Sequence, residues 1–223
     1  MLLSIGTMGE STAPPPTRRR ILQEAETLYV LRGHDGFSFG DIASTIGITR
    51  ANIHHHFGNK QRLMEELVEG FVTDAEARIA HHWTRPGFSL AERLAEQRDD
   101  LRRFYDRFNP KPGDRHVWSP LSRLRLDLPV LGELAARALE RVSRTYEASL
   151  DQAVDEAVAS GELAPDLAVA DIVRVLRVTL LSCGPLTQDR GGFEEVDQLL
   201  AALARLIGIV PLKAERARLT RDR

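Results

Sequence analysis

Only one cysteine, Cys183, occurs in the 223 residues of this chain. That excludes an internal disulfide framework and suits a reducing compartment, the cytoplasm. No apolar run is long enough to read as a membrane span, and the opening MLLSIGTM lacks the basic region and long apolar core of an export signal. There is no glycine-rich phosphate loop and no nucleophile elbow, and the Ser, His and Asp residues carry no catalytic spacing, so nothing points to an enzyme. Strand-period alternation of useful length is missing, as is any internal repeat. Charge of neither sign dominates: 30 Lys and Arg stand against 32 Asp and Glu, with pI near 6.4. The chain is therefore no blanket polycation, and any contact with nucleic acid must come from how charge is distributed.

What is present is helical periodicity almost throughout, broken by a distinctive segment, FSFGDIASTIGITRANIHHHFGNKQRL, from Phe37 to Leu63. Ser38 followed three residues later by Asp41 forms a capping-box pattern. Ile42, Ala43 and Ile46 then fall at helical spacing, and Gly47 supplies the left-handed residue that stops this helix and turns the chain. Thr49 caps again, and a second helix runs from Arg50 to about His56. Two short helices joined by a tight turn make a helix-turn-helix, whose second helix is the one that enters a DNA major groove.

Spacing assigns that second helix its faces. Ile53, His56 and Phe57 lie at i, i+3 and i+4, so this side points inward against the first helix. The other side carries Ala51, Asn52, His54 and His55, flanked by Arg50. Asn bonds adenine bidentately, Ala touches a thymine methyl, and His donates to guanine N7 or to a phosphate. Between residues 17 and 66 basic residues barely outnumber acidic ones. Arg18 to Arg20, Arg50, Lys60 and Arg62 nevertheless lie near helix starts, where phosphates are met. Lys60, opening the next helix, is the expected phosphate anchor.

With these pieces in view, the segment from Arg18 to Leu67 resembles the N-terminal domain of the TetR family of bacterial transcription regulators. The resemblance rests on ILQEAETLYVLRG, on FSFGDIASTIGITRANIHHHF and on GNKQRLMEEL, and covers the first quarter to third of the chain. Two departures stand out. The family usually has Tyr where this chain has His54, and often an aromatic at His56; Gly40 replaces a residue that is commonly polar or basic. The phosphate contact of that Tyr hydroxyl therefore falls to an imidazole, a group that titrates near physiological pH. The resemblance implies DNA contacts from Ser38, Thr49, Arg50, Ala51, Asn52, His54, His55 and Lys60.

The expected fold is all-α: a three-helix DNA-binding domain joined to a larger helical domain for effector binding and dimerisation. The expected divisions are a disordered arm over 1–16, ending in a proline run; the helix-turn-helix domain over 17–62; the helical domain over 63–210; and a basic tail over 211–223. One long amphipathic helix runs from Leu63 toward Trp83, and Arg85-Pro86-Gly87 breaks it. Ser89 caps the next, which carries Phe104, Tyr105 and Phe108. A loop, Asn109 to Asp114, and a short helix around Trp118 to Leu126 follow. Pro129 begins a long helix that ends at Ser160-Gly161. Val169 to Cys183 is apolar on more than one side, and Val196 to Ile207 forms a second such helix, so each has a face for its own core and one for a partner chain. The resemblance implies a homodimer through a four-helix bundle of these last two helices, with Leu176 and Leu203 expected in its seam.

The same resemblance implies an effector pocket among the middle helices. Its candidate lining is Trp83, Phe104, Tyr105, Phe108, His116, Trp118 and Tyr146, with Arg123 and Arg125 as anion partners or plain surface charges; aromatics at this spacing also suit an ordinary core. No cofactor is called for. The run His54-His55-His56 and the pair His81-His82 suggest metal ligands, but adjacent helical residues point about 100° apart and lack the i,i+4 spacing of helix-borne ligands, so no metal is expected. The functional reading is a DNA-binding repressor released from its double-stranded operator by a small molecule. The alternative is a DNA-binding protein whose helical domain docks another protein.

Overall fold

The computed structural model describes residues 17–164 and 168–209. The arm expected over 1–16 and the basic tail over 211–223 lie outside the described residues. Among those described, the chain forms ten helices and no strand. α1 (Thr17–Arg32) and α3 (Arg50–Phe57) pack on α4 (Lys60–Trp83), and α2 (Phe39–Ile46) packs on α1 and α3. The remainder is α5 (Leu90–Phe108), α6 (Pro120–Leu126), α7 (Leu128–Leu131), α8 (Glu133–Ala159), α9 (Val169–Arg190) and α10 (Glu194–Leu206).

α4 joins the two halves. Its 24 residues extend about 36 Å at 1.5 Å per residue, so its first turns pack on α1 and α3 while its later turns lie along α8. Leu63, Met64, Leu67 and Val68 are buried at its start, and Phe71, Val72, Ala75, Ile79 and Trp83 carry the same stripe onward. Asn59 caps it by accepting from the Arg62 amide at 2.9 Å. The break after Trp83 and the Ser89 cap of α5 both occur where turn chemistry places them, and Ser89 forms a full capping box with Glu92.

The long helix after Pro129 begins later than its apolar spacing suggests. Residues 128–131 form the separate short helix α7, and Gly132, at φ 51°, breaks the chain before α8 starts at Glu133. A backbone of that sign costs little only at glycine. α9 extends past Cys183 to Arg190 with Pro185 inside it. Cys183 is fully buried, donates to the Thr179 carbonyl at 3.3 Å, and burial pushes its thiol up to about 12. It is a packing residue with almost no thiolate at neutral pH.

The apolar faces of α9 and α10 divide differently from expectation. Leu176 and Leu203 are buried within their own chain. The seam assigned to them is corrected: α9 turns Val175 and Val178 outward instead, 47% and 54% exposed, and α10 exposes Leu206 at 83%. Seen from the sequence, both sides of α9 are apolar, so composition alone did not say which side met its own core.

Candidate nucleic-acid interface and effector cavity

Two short helices hold the N-terminal domain's outward face. Ser38 Oγ accepts from the Asp41 amide at 3.3 Å while the Asp41 carboxylate accepts from the Ser38 amide at 2.8 Å, closing the capping box of α2. The Ser38 hydroxyl also donates to the Asp41 carboxylate at 2.5 Å, and this bond, followed by that from the Ser38 amide, holds the carboxyl below its usual value. Gly47, at φ 70°, ends α2, and its N–H donates to the Ala43 carbonyl. Thr49 Oγ1 then accepts from the Asn52 amide at 3.2 Å and starts α3. Beneath them Ile42, Ile53 and Phe57 are buried against Ile21, Ala25 and Tyr29 of α1. Arg20 reaches across from α1 to the Ile46 carbonyl at 2.7 Å, bracing the end of α2.

Above this base, Ser38, Thr49, Arg50, Ala51, Asn52, His54 and His55 are all exposed. The outward surface of α3 thus presents one amide, two imidazoles, a guanidinium and a methyl group. His54 is the most ordered of the two imidazoles: Nδ1 donates to the Gly58 carbonyl at 2.9 Å, and the ring packs edge-on against Phe39 at 4.8 Å. With Nδ1 carrying the donated proton, Nε2 is left to meet a ligand. His56 lies between Phe57 and His55 and is half-buried.

Lys60 does not occupy the role assigned to it. Its ammonium turns inward and donates to the carbonyls of His34 and Phe37, the latter at 2.6 Å, with Nζ 4.5 Å from the Phe37 ring. Burial lowers its pKa, with Asp35, Asp41 and Asp127 opposing. It is a brace for the turn between α1 and α2. Arg19, Arg50 and Arg62 are exposed and make no ion pair among the described residues. Arg18, by contrast, pairs with Glu66 at 2.5 Å.

α6 grips the C-terminal end of α1. Arg123 Nε donates to the Val30 carbonyl at 3.0 Å and Nη2 to the Leu31 carbonyl at 3.2 Å, while Asp127 accepts from the His34 amide at 2.8 Å. A cation at a helix C-terminus meets its carbonyls and dipole favourably. Arg123 is thus a strap between the two halves and neither an effector clamp nor a free surface charge. Tyr29 is buried beside the same carboxylate, and burial followed by the charge of Asp127 pushes its hydroxyl pKa well up. From α5, Arg107 adds a 3.1 Å pair to Glu26 of α1. Arg125 is half-buried, and desolvation lowers its pKa.

A small cavity of about 80 Å³, open to solvent, lies between α4, α5, α6 and α8 and reaches Glu26 of α1. Of the seven expected lining residues, Phe104, Trp118 and Tyr146 border it. Trp83, Tyr105 and Phe108 do not and are core: Trp83 is fully buried and donates to Gln97 Oε1 at 3.0 Å, and Tyr105 packs on Trp118 and Phe193. Their helical spacing was that of packing. His116 is exposed on the loop before α6, away from the cavity. The lining residues that spacing missed include apolar ones, among them Phe71, Ile79 and Leu121, and a polar set: Glu26, Asp74, Arg78, Gln97 and Asp100. Tyr146 donates to Gln97 Oε1 at 3.3 Å, and burial raises its hydroxyl pKa. Arg78 lies 4.6 Å over Phe104 and 3.5 Å from Asp100. Polar residues inside a helix give no periodic signal, so only the packing brings them together.

Residues 21–67 match the model of the bacterial regulatory proteins of the tetR family. The chain is similar to the HTH-type transcriptional repressor KstR2 of Rhodococcus jostii strain RHA1, 33% identical over 70 residues, which are 27% of this chain and 34% of that protein. It is similar to KstR2 of Mycolicibacterium smegmatis at 34% over 67 residues, 29% and 33% of the two chains. The match thus spans about a third of these curated relatives. Among solved structures, a TetR-family transcriptional regulator from Agrobacterium tumefaciens superposes with TM-score 0.72 at 23% identity, covering 85% of this chain and 96% of that one. Reduced NemR from E. coli gives 0.70 at 19%, covering 85% and 95%.

Proposed function

We propose that this chain is a member of the tetR family of bacterial regulatory proteins and a homodimeric transcription regulator, a repressor that a small molecule releases from its operator. The carrying observation is the exposed face of α3, with Asn52, His54, His55 and Arg50 presented by a doubly capped two-helix unit. One eight-residue helix reads too few bases to bind a unique site tightly; two copies about 34 Å apart read half-sites on one face of B-DNA. The outward Val175, Val178 and Leu206, beside a groove lined by Leu186, Leu199 and Ala202, support α9 and α10 as the pairing surface. The cytoplasm is the setting this role requires.

The proposed route of release follows from what borders the cavity. A bound molecule would press on Phe104 of α5, Trp118 before α6 and Tyr146 of α8, and it would touch Glu26 of α1 directly. α6 holds the last carbonyls of α1 through Arg123, so a shift of α6 is carried into the DNA-binding domain. Flat aromatic walls and a carboxylate-rich mouth favour an effector with an apolar body and a hydrogen-bond-donating or cationic head. A thermal-shift screen followed by gel shift tests this reading. An effector at 100 times its dissociation constant should add about 2.7 kcal/mol to stability and displace operator DNA. A ligand that stabilises the chain and leaves operator affinity unchanged would contradict the proposed release.

A further inference from the structure

At the C-terminal end of α4, His81 and His82 meet Glu96 of α5, and one ligating atom from each of the three lies within 4.8 Å of the others. We propose that these residues form a divalent transition-metal site, with zinc the best match to its donors. The objection that adjacent helical residues diverge applies to their Cα–Cβ directions. Here the two rings turn toward each other, 5.3 Å apart at 74°, and the third ligand arrives from another helix. His82 Nδ1 is 3.8 Å from Glu96 Oε2. Ligands sharing a tetrahedral zinc at 2.0–2.1 Å sit roughly 3.3 Å apart, so closure needs movements of about 1 Å in side chains of which His81 is exposed and Glu96 half-exposed.

Two further observations point to a ligand. His82 is 5% exposed, yet neither ring nitrogen has a hydrogen-bond partner. A buried imidazole left so is rare and calls for an explanation, of which an ion is one. Its far side is already prepared. Nε2 lies 3.5 Å from Asp100 Oδ2, the arrangement of carboxylate, histidine and metal in which a second carboxylate orients the ring.

Arg85 explains how the site is balanced without a metal. Its guanidinium bonds Glu96 Oε1, lies 3.5 Å from a His81 ring nitrogen and stacks on Phe88 at 3.5 Å, while its Nε is buried without a partner. The guanidinium stands where the cation belongs, so metal entry is an exchange of one positive charge for another at Glu96. Two imidazoles and one carboxylate, with water as the fourth ligand, suit zinc, and cobalt(II) accepts the same geometry with a visible spectrum. Asp100 also borders the effector cavity, which places the metal site one side chain from it.

The test is titration of the full-length chain with cobalt(II), followed by zinc competition, without DNA, so that its outcome is independent of operator binding. One equivalent per chain with the intense visible bands of tetrahedral cobalt, displaced by zinc, is expected. His81→Ala and Glu96→Gln, whose side chains are not part of the core, should retain the helical melting curve and lose the bands. Asp100→Asn should weaken zinc binding by about 10–100-fold, the usual effect of losing an orienting carboxylate. Arg85→Met should bind more tightly than the wild type, because the competing guanidinium is gone. No saturable cobalt spectrum in the wild-type chain would overturn the proposal, as would wild-type metal affinity in both His81→Ala and Glu96→Gln. Unchanged or weaker affinity in Arg85→Met would overturn the exchange.

Discussion

At the scale of single residues, basic side chains near the DNA-facing surface have separate jobs. Lys60 gives its ammonium to two backbone carbonyls, whereas Arg62, two residues on, is exposed and without an ion pair among the described residues. Lys60→Ala should therefore lower stability by about 1–3 kcal/mol, the cost of leaving polar groups unsatisfied, with little change in salt dependence. Arg62→Ala should leave stability alone and make the slope of log affinity against log salt shallower by about one unit per subunit. Denaturant titration and gel shifts over a salt series separate the two. The reverse pattern would return Lys60 to the phosphate. His54 has its Nδ1 proton committed to Gly58, leaving Nε2 outward.

At the scale of elements, caps and turns were legible because they depend on residues close in sequence. Ser38 with Asp41, Gly47, Thr49 and Ser89 each act where their chemistry places them. Ser38→Ala should destabilise the N-terminal domain by about 1 kcal/mol, read by thermal denaturation. The Asp41 carboxyl is depressed by its bonds to Ser38. Its stabilising contribution is thus present above the ordinary carboxylate range and lost as pH falls through the lowered value, so the deficit of Ser38→Ala should shrink in acid. A constant deficit down to full protonation would separate Asp41 from the cap. What periodicity left hidden were contacts between distant elements. The carbonyls of Val30 and Leu31 carry no mark of Arg123, and two apolar sides of α9 look alike until α8 covers one. Val178→Asp should give a folded chain that no longer dimerises, while Leu176→Asp should unfold it, because an unpaired carboxylate in the core is costly. Light scattering and circular dichroism distinguish these outcomes. A folded dimer in Val178→Asp would remove this face of α9 from the subunit interface.

At the scale of the molecule, the helix-turn-helix, the cavity and the cluster of His81, His82 and Glu96 are arranged along α4. Its start anchors the helix-turn-helix, its middle borders the cavity through Phe71, Asp74, Ala75, Arg78 and Ile79, and its end carries His81 and His82. The exposed side of α3 was legible in the sequence because the spacing of Ile53 and Phe57 fixes which side of the helix is buried. The cavity was poorly legible, since the aromatic spacing that marks a lining also marks a core, as Trp83, Tyr105 and Phe108 illustrate. The central claim is that the exposed side of α3 reads a two-fold operator. The direct measurement is selection of binding sites from random double-stranded DNA by the full-length chain and by Asn52→Ala in parallel. The wild type should enrich an inverted repeat with half-site centres about one helical turn, or a whole multiple of it, apart. Asn52→Ala should lose preference at one symmetry-related base pair, a discrimination of roughly 1–3 kcal/mol, while keeping non-specific affinity. Enrichment of no symmetric site by the wild type, or of the same site with undiminished preference by Asn52→Ala, would contradict it.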